Sequence, residues 1–153
     1  MTGTTSIKVK IIEQNGPQLQ RLLTRSDPWA GGECNRDNCA ICTQDWDSKP
    51  NCRQTNTTYR TICQLCKSQG ARTTYIGESS RSLFERMGEH REDAKSGLEG
   101  SHIASHLQTA HPGEWSDLGA GQDGLKHFRV ELVKTHQTSF RRQLHEACTI
   151  MRE

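Results

Sequence analysis

Hydrophobic and polar residues alternate with a period of two in segments 6–12 and 128–132, which predicts β-strands there. Segments 57–63 and 73–78 are rich in threonine, tyrosine and isoleucine, the residue types that strands favour. Residues 67–71 between these two runs have the composition of a loop. The two runs therefore predict a β-hairpin.

Apolar residues at helical spacing follow the predicted strands. A short helix opens at Pro17, because proline is favoured in the first turn of a helix. A longer helix is capped by Ser79 or Ser80 and reaches about Lys95. Its predicted buried stripe consists of Leu83, Phe84 and Met87.

Two more helices are predicted in the second half of the chain. One covers residues 101–109 and ends near 111–113. The last helix is capped by Thr138 or Ser139. Its apolar stripe consists of Phe140, Leu144, Ala147, Cys148 and Met151. We therefore expect Cys148 to be buried and to act as a small hydrophobic residue.

The chain has few residues from which to build a hydrophobic core. Of its 153 residues, 31% are hydrophobic and 5% are aromatic. A thin core needs additional staples, and the seven cysteines and seven histidines are the candidates. The formal net charge of +2 neither favours nor excludes a nucleic-acid partner, so any basic patch must be local.

The sequence predicts an intracellular protein, nuclear or cytoplasmic, that is not secreted. No apolar run approaches the roughly 18 residues that a membrane-spanning helix requires. Residues 1–10 lack the apolar core of a signal peptide. Inside a cell, paired cysteines act as metal ligands or free thiols rather than as disulfides.

Four cysteines lie in the short polar segment 34–52, which has almost no apolar periodicity. They are Cys34, Cys39, Cys42 and Cys52. Zinc binds four such ligands, and a C-x2-C turn lets two sulfurs reach one ion at about 2.3 Å. The segment therefore predicts a zinc site, with free cysteines as the alternative.

Cys63 and Cys66 form a second C-x2-C half-site that lacks two partners. His102 with His106, or His106 with His111, has the spacing of zinc-finger histidines. A third possibility is that the two cysteines complete the first cluster. Spacing alone leaves these alternatives open.

Chemically active side chains accompany the predicted hairpin and the helix after it. Tyr59 and Tyr75 lie on the two strands, while Arg86 and His90 are four residues apart and share one helix face. Gly77 lies where a strand ends and a substrate can approach closely. This set suits phosphodiester hydrolysis, because arginine offsets phosphate charge while a phenol or imidazole moves or orients protons. A carboxylate that holds Mg²⁺ would complete it.

The order of these residues resembles the signature of GIY-YIG nucleases. Segment 74–90, TYIGESSRSLFERMGEH, is similar to its second half, in which Y-I-G precedes an arginine on the next helix and a histidine one turn later. Segment 56–63, NTTYRTIC, stands where the first half is expected and keeps Tyr59. Thr57 and Thr58 replace the glycine and isoleucine of that half.

The chain resembles in particular the GIY-YIG domains of Penelope-like retroelements, which have a C-x2-C between the two motifs and a later histidine pair. The resemblance implies that Cys63 and Cys66 bind zinc together with His106 and His111. It also implies that Glu146, in RRQLHEACTI, holds the catalytic Mg²⁺ or Mn²⁺. The helix phase alone predicts that Glu146 faces solvent, because it lies off the apolar stripe.

The predicted architecture is α/β (α+β), with a small mixed or antiparallel three-stranded sheet flanked by helices and with zinc-bound cysteine-rich segments. We expect an N-terminal strand and helix extension at 1–33, a cysteine-rich zinc-binding segment at 34–56 and a GIY-YIG-like nuclease domain at 57–153.

The resemblance implies a metal-dependent DNA endonuclease that nicks the target site of a retroelement. Its catalytic residues would be Tyr59, Tyr75, Arg86, His90 and Glu146. The expected partners are DNA and a reverse transcriptase domain or element RNA. The alternative is a non-catalytic zinc-binding module that descends from such a nuclease and binds nucleic acid.

Overall fold

Three antiparallel strands form the sheet: β1 (Thr57–Cys63), β2 (Thr74–Ser79) and β3 (Phe128–Thr135). The strand order is β2-β1-β3, so β1 is the central strand. In the register of the hairpin, Tyr59 pairs with Gly77. The predicted hairpin is confirmed, and the three-stranded sheet is antiparallel throughout.

The computed structural model describes residues 34, 36–44, 49–117 and 123–152. They belong to one compact unit, Gly31–Glu153. The predicted strand at 6–12 and the helix that opens at Pro17 lie outside the described residues.

A short helix, α1 (Gln64–Ser68), follows β1 directly. The sulfur of Cys63 caps it by accepting a hydrogen bond from the backbone N–H of Cys66. The C-x2-C turn therefore closes as a helical turn. Gly70 follows with φ of 80°, a left-handed conformation that glycine adopts at little cost. The connection between β1 and β2 is thus more ordered than the loop predicted for it.

The helix after the hairpin is α2 (Leu83–Ser96), and its N-cap is Ser82. Ser82 and Glu85 form a reciprocal capping box, which satisfies two backbone N–H groups at the start of the helix. The predicted caps were wrong, because Ser79 is the last residue of β2 and pairs with Thr57. Leu83 and Met87 are buried as expected, whereas Phe84 is only partly buried.

The histidine-rich segment forms α3 (His102–Ala110), which confirms the helix predicted over 101–109. Its N-cap is Ser101. A further helix, α4 (Pro112–Ser116), begins at the next proline. The sequence predicted only a helix end here. Proline lacks the N–H that a first-turn residue would leave unpaired, so it starts a helix as readily as it stops one.

The last helix is α5 (Ser139–Ile150), with Thr138 as its N-cap. Its predicted buried stripe was wrong: Phe140 is 54% exposed, Leu144 is 52% exposed and Cys148 is also exposed. The buried residue of α5 is Arg142, which forms an ion pair with Glu78 of β2. The face of α5 that meets the sheet is therefore the one that carries Arg142, and the predicted apolar stripe faces away from it.

The two long helices α2 and α5 lie on opposite faces of the sheet. Tyr59 bonds to side chains of α2, whereas the adjacent Thr58 bonds to His136, just before α5. Neighbouring residues of a strand point to opposite faces, so the two contacts lie on different sides. None of the helices in the described part of the chain is long and apolar enough to cross a membrane.

Candidate active site and metal centres

Tyr59 is the centre of a buried hydrogen-bonded group. Its side chain is fully buried, and its hydroxyl oxygen lies 3.0 Å from Nε of Arg86 and 2.8 Å from Nε2 of His90. The guanidinium can only donate, so the hydroxyl accepts from Arg86 and donates its own proton to His90. These two hydrogen bonds join β1, which carries Tyr59, to α2, which carries Arg86 and His90.

The protonation states follow from burial and from the charge of Arg86. Burial raises the pKa of Tyr59 well above that of a free phenol, and Arg86 opposes this only in part. Burial and then the charge of Arg86 lower the pKa of His90 to about 3. The group therefore contains a neutral phenol, a neutral imidazole and a charged guanidinium at pH 7.

Tyr75 is the more exposed of the two tyrosines. Its ring meets His90 edge-on with 5.6 Å between ring centroids, and it lies 6.4 Å from the ring of Tyr59. On its other side it stacks on His102, with centroids 5.7 Å apart and planes inclined by 29°. Tyr75 thus connects the buried group to the surface.

Gly77 makes room for Tyr59. A Cβ atom at this position would lie 2.5 Å from the Tyr59 hydroxyl oxygen and 2.9 Å from Cε1 of Tyr75. Real Cβ atoms essentially never make contacts this short, so no other residue type fits without movement of a buried ring. The glycine of the Y-I-G run is required for space.

Glu146 reaches the same region from α5, on the other face of the sheet. Burial and then the nearby Glu78 raise its pKa, while a hydrogen bond to the Glu78 backbone and the charge of Arg86 act in the opposite direction. Glu146 also raises the pKa of Tyr59. Helix phase predicts a solvent-facing residue, but the side chain is partly buried and lies within electrostatic reach of Arg86 and Tyr59. We call the surface formed by Tyr75, Arg86, His90 and Glu146 around Tyr59 the cleft.

Glu89, which no sequence motif singled out, holds Arg86 in place. An oxygen of Glu89 lies 2.9 Å from Nη1 of Arg86, and Arg81 pairs with the same carboxylate. The i,i+3 spacing of Arg86 and Glu89 on one helix was the available signal. Two guanidinium groups therefore share one carboxylate at the mouth of the cleft.

The first cysteine cluster can hold a metal ion. The sulfur atoms of all four predicted ligands lie within 4.8 Å of one another: Cys34, Cys39, Cys42 and Cys52. Burial and then Cys39 raise the pKa of Cys42 to about 11. Four crowded thiols fit a tetrahedral zinc site, because a bound cation would stabilise their thiolate forms.

This cluster is attached to the start of α2. The backbone N–H groups of Leu83 and Phe84 donate to the carbonyl oxygens of Gln54 and Cys52, at 3.0 and 2.8 Å. Residues near the N-terminus of a helix have no partner within the helix. The metal-binding segment supplies these partners and so fixes the helix that contains Arg86.

The second cluster consists of Cys63, Cys66, His106 and His111. The sulfur of Cys66 lies 3.2 Å from Nε2 of His111 and 3.4 Å from Nε2 of His106. Ligands of tetrahedral zinc lie about 3.3–3.8 Å apart at normal bond lengths, so this donor set fits the ion. His102 is not among these residues. The histidine pair is the one implied by the resemblance, and the two cysteines do not belong to the first cluster.

Comparisons of the chain with protein-family models, with curated proteins and with solved structures find no match.

Proposed function

We propose that this protein is a metal-dependent DNA endonuclease with a GIY-YIG-type active site that nicks one strand. The observation that supports it most directly is the contact of Tyr59 with both Arg86 and His90 in a buried group. Tyr75 and Glu146 adjoin that group from β2 and α5. A structural role alone does not require a glycine cradle, two tyrosines and a charged guanidinium at one point.

Arg86 would bind the phosphate at which the bond breaks. Burial alone would lower the pKa of Arg86, but Tyr59 and Glu89 together raise it by more, so the side chain stays charged. Its side chain is 26% exposed, which leaves part of the guanidinium accessible. A positive group aimed at a developing negative charge typically contributes on the order of 10²- to 10³-fold in rate.

The tyrosines and His90 would have different tasks. Tyr59 is fully buried and neutral, so it orients Arg86 and His90 rather than acting as a base that water can reach. The half-exposed Tyr75 is the phenol that can contact the attacking water. His90 is neutral and accepts a hydrogen bond from the Tyr59 hydroxyl, which fixes its ring.

Glu146 would hold the catalytic Mg²⁺ or Mn²⁺. A single carboxylate together with substrate phosphate suits Mg²⁺, which keeps several waters and binds few protein ligands. A divalent ion polarises the phosphate and stabilises the leaving oxygen. The two zinc ions would be structural, one fixing the start of α2 and the other joining β1 to α3.

The biological role that we propose is cleavage of the DNA target site of a retroelement, together with a reverse transcriptase domain or element RNA. It rests on the resemblance to Penelope-like nuclease domains. The second candidate function is a zinc-stabilised module that binds nucleic acid without cleaving it. The two complete Cys/His clusters favour this candidate, because they do not depend on the cleft.

Plasmid nicking tests the proposal. We expect Arg86→Ala and Glu146→Gln to abolish conversion of supercoiled to open-circular DNA in Mg²⁺ or Mn²⁺ while leaving zinc content and circular dichroism unchanged. The matched controls Arg72→Ala and Glu99→Gln change exposed residues outside the cleft and should nick like the parent. Salt-sensitive binding by a wild-type protein that never nicks would favour the second candidate.

A further inference from the structure

We propose that the cavity between β2 and α3 binds an unpaired nucleobase of the DNA strand whose phosphate contacts Arg86. The inference rests on the proposed function and adds the substrate class: DNA with an unpaired or flipped base beside the cleavage position. The cavity has a volume of about 410 Å³. Pockets of roughly 300–1,000 Å³ are typical of small-molecule sites, so the space is sufficient for a base.

The walls of the cavity match a flat, uncharged group. They include Thr61 and Thr73 of the hairpin, Tyr75 of β2, His102 and Ile103 of α3, and Phe128 of β3. No lysine, arginine, aspartate or glutamate is among the described residues that line it. The lining therefore offers no lysine or arginine to a phosphate, whereas a nucleobase needs none. His106, a candidate zinc ligand, also lines the cavity.

Aromatic rings continue from the cavity to the cleft. His102 stacks on Tyr75, and the edge of Tyr75 meets His90. His102 is exposed, so its outer face is open to a further ring. Because Tyr75 belongs to both the cavity and the cleft, a strand that places its phosphate at Arg86 has a neighbouring base within reach of the stack. Stacking on aromatic side chains is the usual way in which proteins hold unpaired bases.

Polar groups for the edge of a base are also present. The hydroxyl of Thr61 is buried and has no hydrogen-bond partner among the described residues. Thr73, a second hydroxyl-bearing residue, also lines the cavity. A base that enters the cavity must first leave its own pair, which is easiest in single-stranded or mismatched DNA.

The test compares two single-stranded probes with equal numbers of phosphates: an oligonucleotide of eight thymidines and its abasic counterpart. Binding is measured by fluorescence anisotropy without added Mg²⁺. Because phosphate contacts are the same in both, any difference reports the bases. We expect the thymidine probe to bind about 5- to 100-fold more tightly, the range expected for stacking of one base.

His102→Ala should remove most of that preference while zinc content stays at the wild-type value. Ser105→Ala, an exposed change on the same helix, should leave the preference intact. Equal affinity of the wild-type protein for both probes, or an unchanged preference in His102→Ala, would overturn the proposal. Plasmid nicking without a base preference would refute the base site alone. A base preference that depends on His102, without nicking, would refute the nuclease and leave the base site established.

Discussion

Replacement of Gly77 by alanine tests whether the position of the Tyr59 hydroxyl is decisive for the cleft. The new Cβ would lie 2.5 Å from the Tyr59 hydroxyl oxygen and 2.6 Å from Cζ. Non-bonded carbon contacts are normally about 3.5–4.0 Å, so the ring of Tyr59 must move by on the order of 1 Å. Gly77 is not among the residues with positive φ, so the effect is steric rather than conformational.

The expected cost combines two effects. Overpacking of a core costs about 1–3 kcal/mol. Displacement of Tyr59 also weakens its hydrogen bonds to Arg86 and His90, each of which contributes about 0.5–1.5 kcal/mol. We expect Gly77→Ala to lower the free energy of unfolding by about 2–6 kcal/mol, a large part of a typical domain stability of about 5–15 kcal/mol. The protein should remain folded at 25 °C but lose nicking activity.

Urea unfolding at saturating zinc measures the stability, and plasmid nicking measures the function. The matched control is Gly88→Ala in α2, where an added Cβ meets nothing within 4 Å. That substitution should stabilise the protein by about 0.5–1 kcal/mol, because alanine is the better helix former. Because Tyr59→Phe removes the same hydrogen bonds, its effect should not add fully to that of Gly77→Ala. A Gly77→Ala protein as stable and as active as wild type would refute the reasoning.

Three further predictions concern the same site and the metal centres. The pKa of His90 is lower in the folded protein than in the unfolded chain, so the free energy of unfolding should fall as pH decreases from about 6.5 towards 3. The slope from His90 should reach about 1.4 kcal/mol per pH unit in this window and vanish above it. Urea unfolding at a series of pH values should show a flatter dependence for His90→Gln. Glu89→Gln should reduce nicking by misplacing Arg86, whereas the exposed Glu92→Gln should not, and equal rates would contradict the positioning role. With zinc bound, a thiol reagent should modify Cys148 rapidly and the other six cysteines only after chelation; rapid reaction of all seven in the loaded protein would contradict both metal sites.

Much of the site could be predicted because its signals are local. A C-x2-C turn brings two sulfurs together whatever the rest of the chain does, and an i,i+4 pair such as Arg86 and His90 shares a helix face by geometry alone. The capping box at Ser82 was equally local and could have been found from its S-x-x-E spacing. The predicted strand ends at residue 78, which leaves Ser79 free to cap the helix, whereas β2 extends to Ser79.

Relations between distant segments could not be predicted in this way. His102 and His106 have finger-like spacing as good as that of His106 and His111, and only the position of α3 relative to the C-x2-C turn decides which pair meets the cysteines. Without the tertiary structure the choice depended on the resemblance.

The orientation of the last helix shows the same limit most clearly. The hydrophobic pattern predicts Phe140 and Leu144 inside and Glu146 outside, whereas Phe140 and Leu144 are exposed and Glu146 is partly buried. The sequence by itself determined the three strands of the sheet, the three longer helices α2, α3 and α5, and the C-x2-C turns, because those depend on neighbours along the chain. The tertiary structure decided which face of α5 meets the sheet, because the buried ion pair between Arg142 and Glu78 joins residues 64 positions apart and no local pattern encodes it.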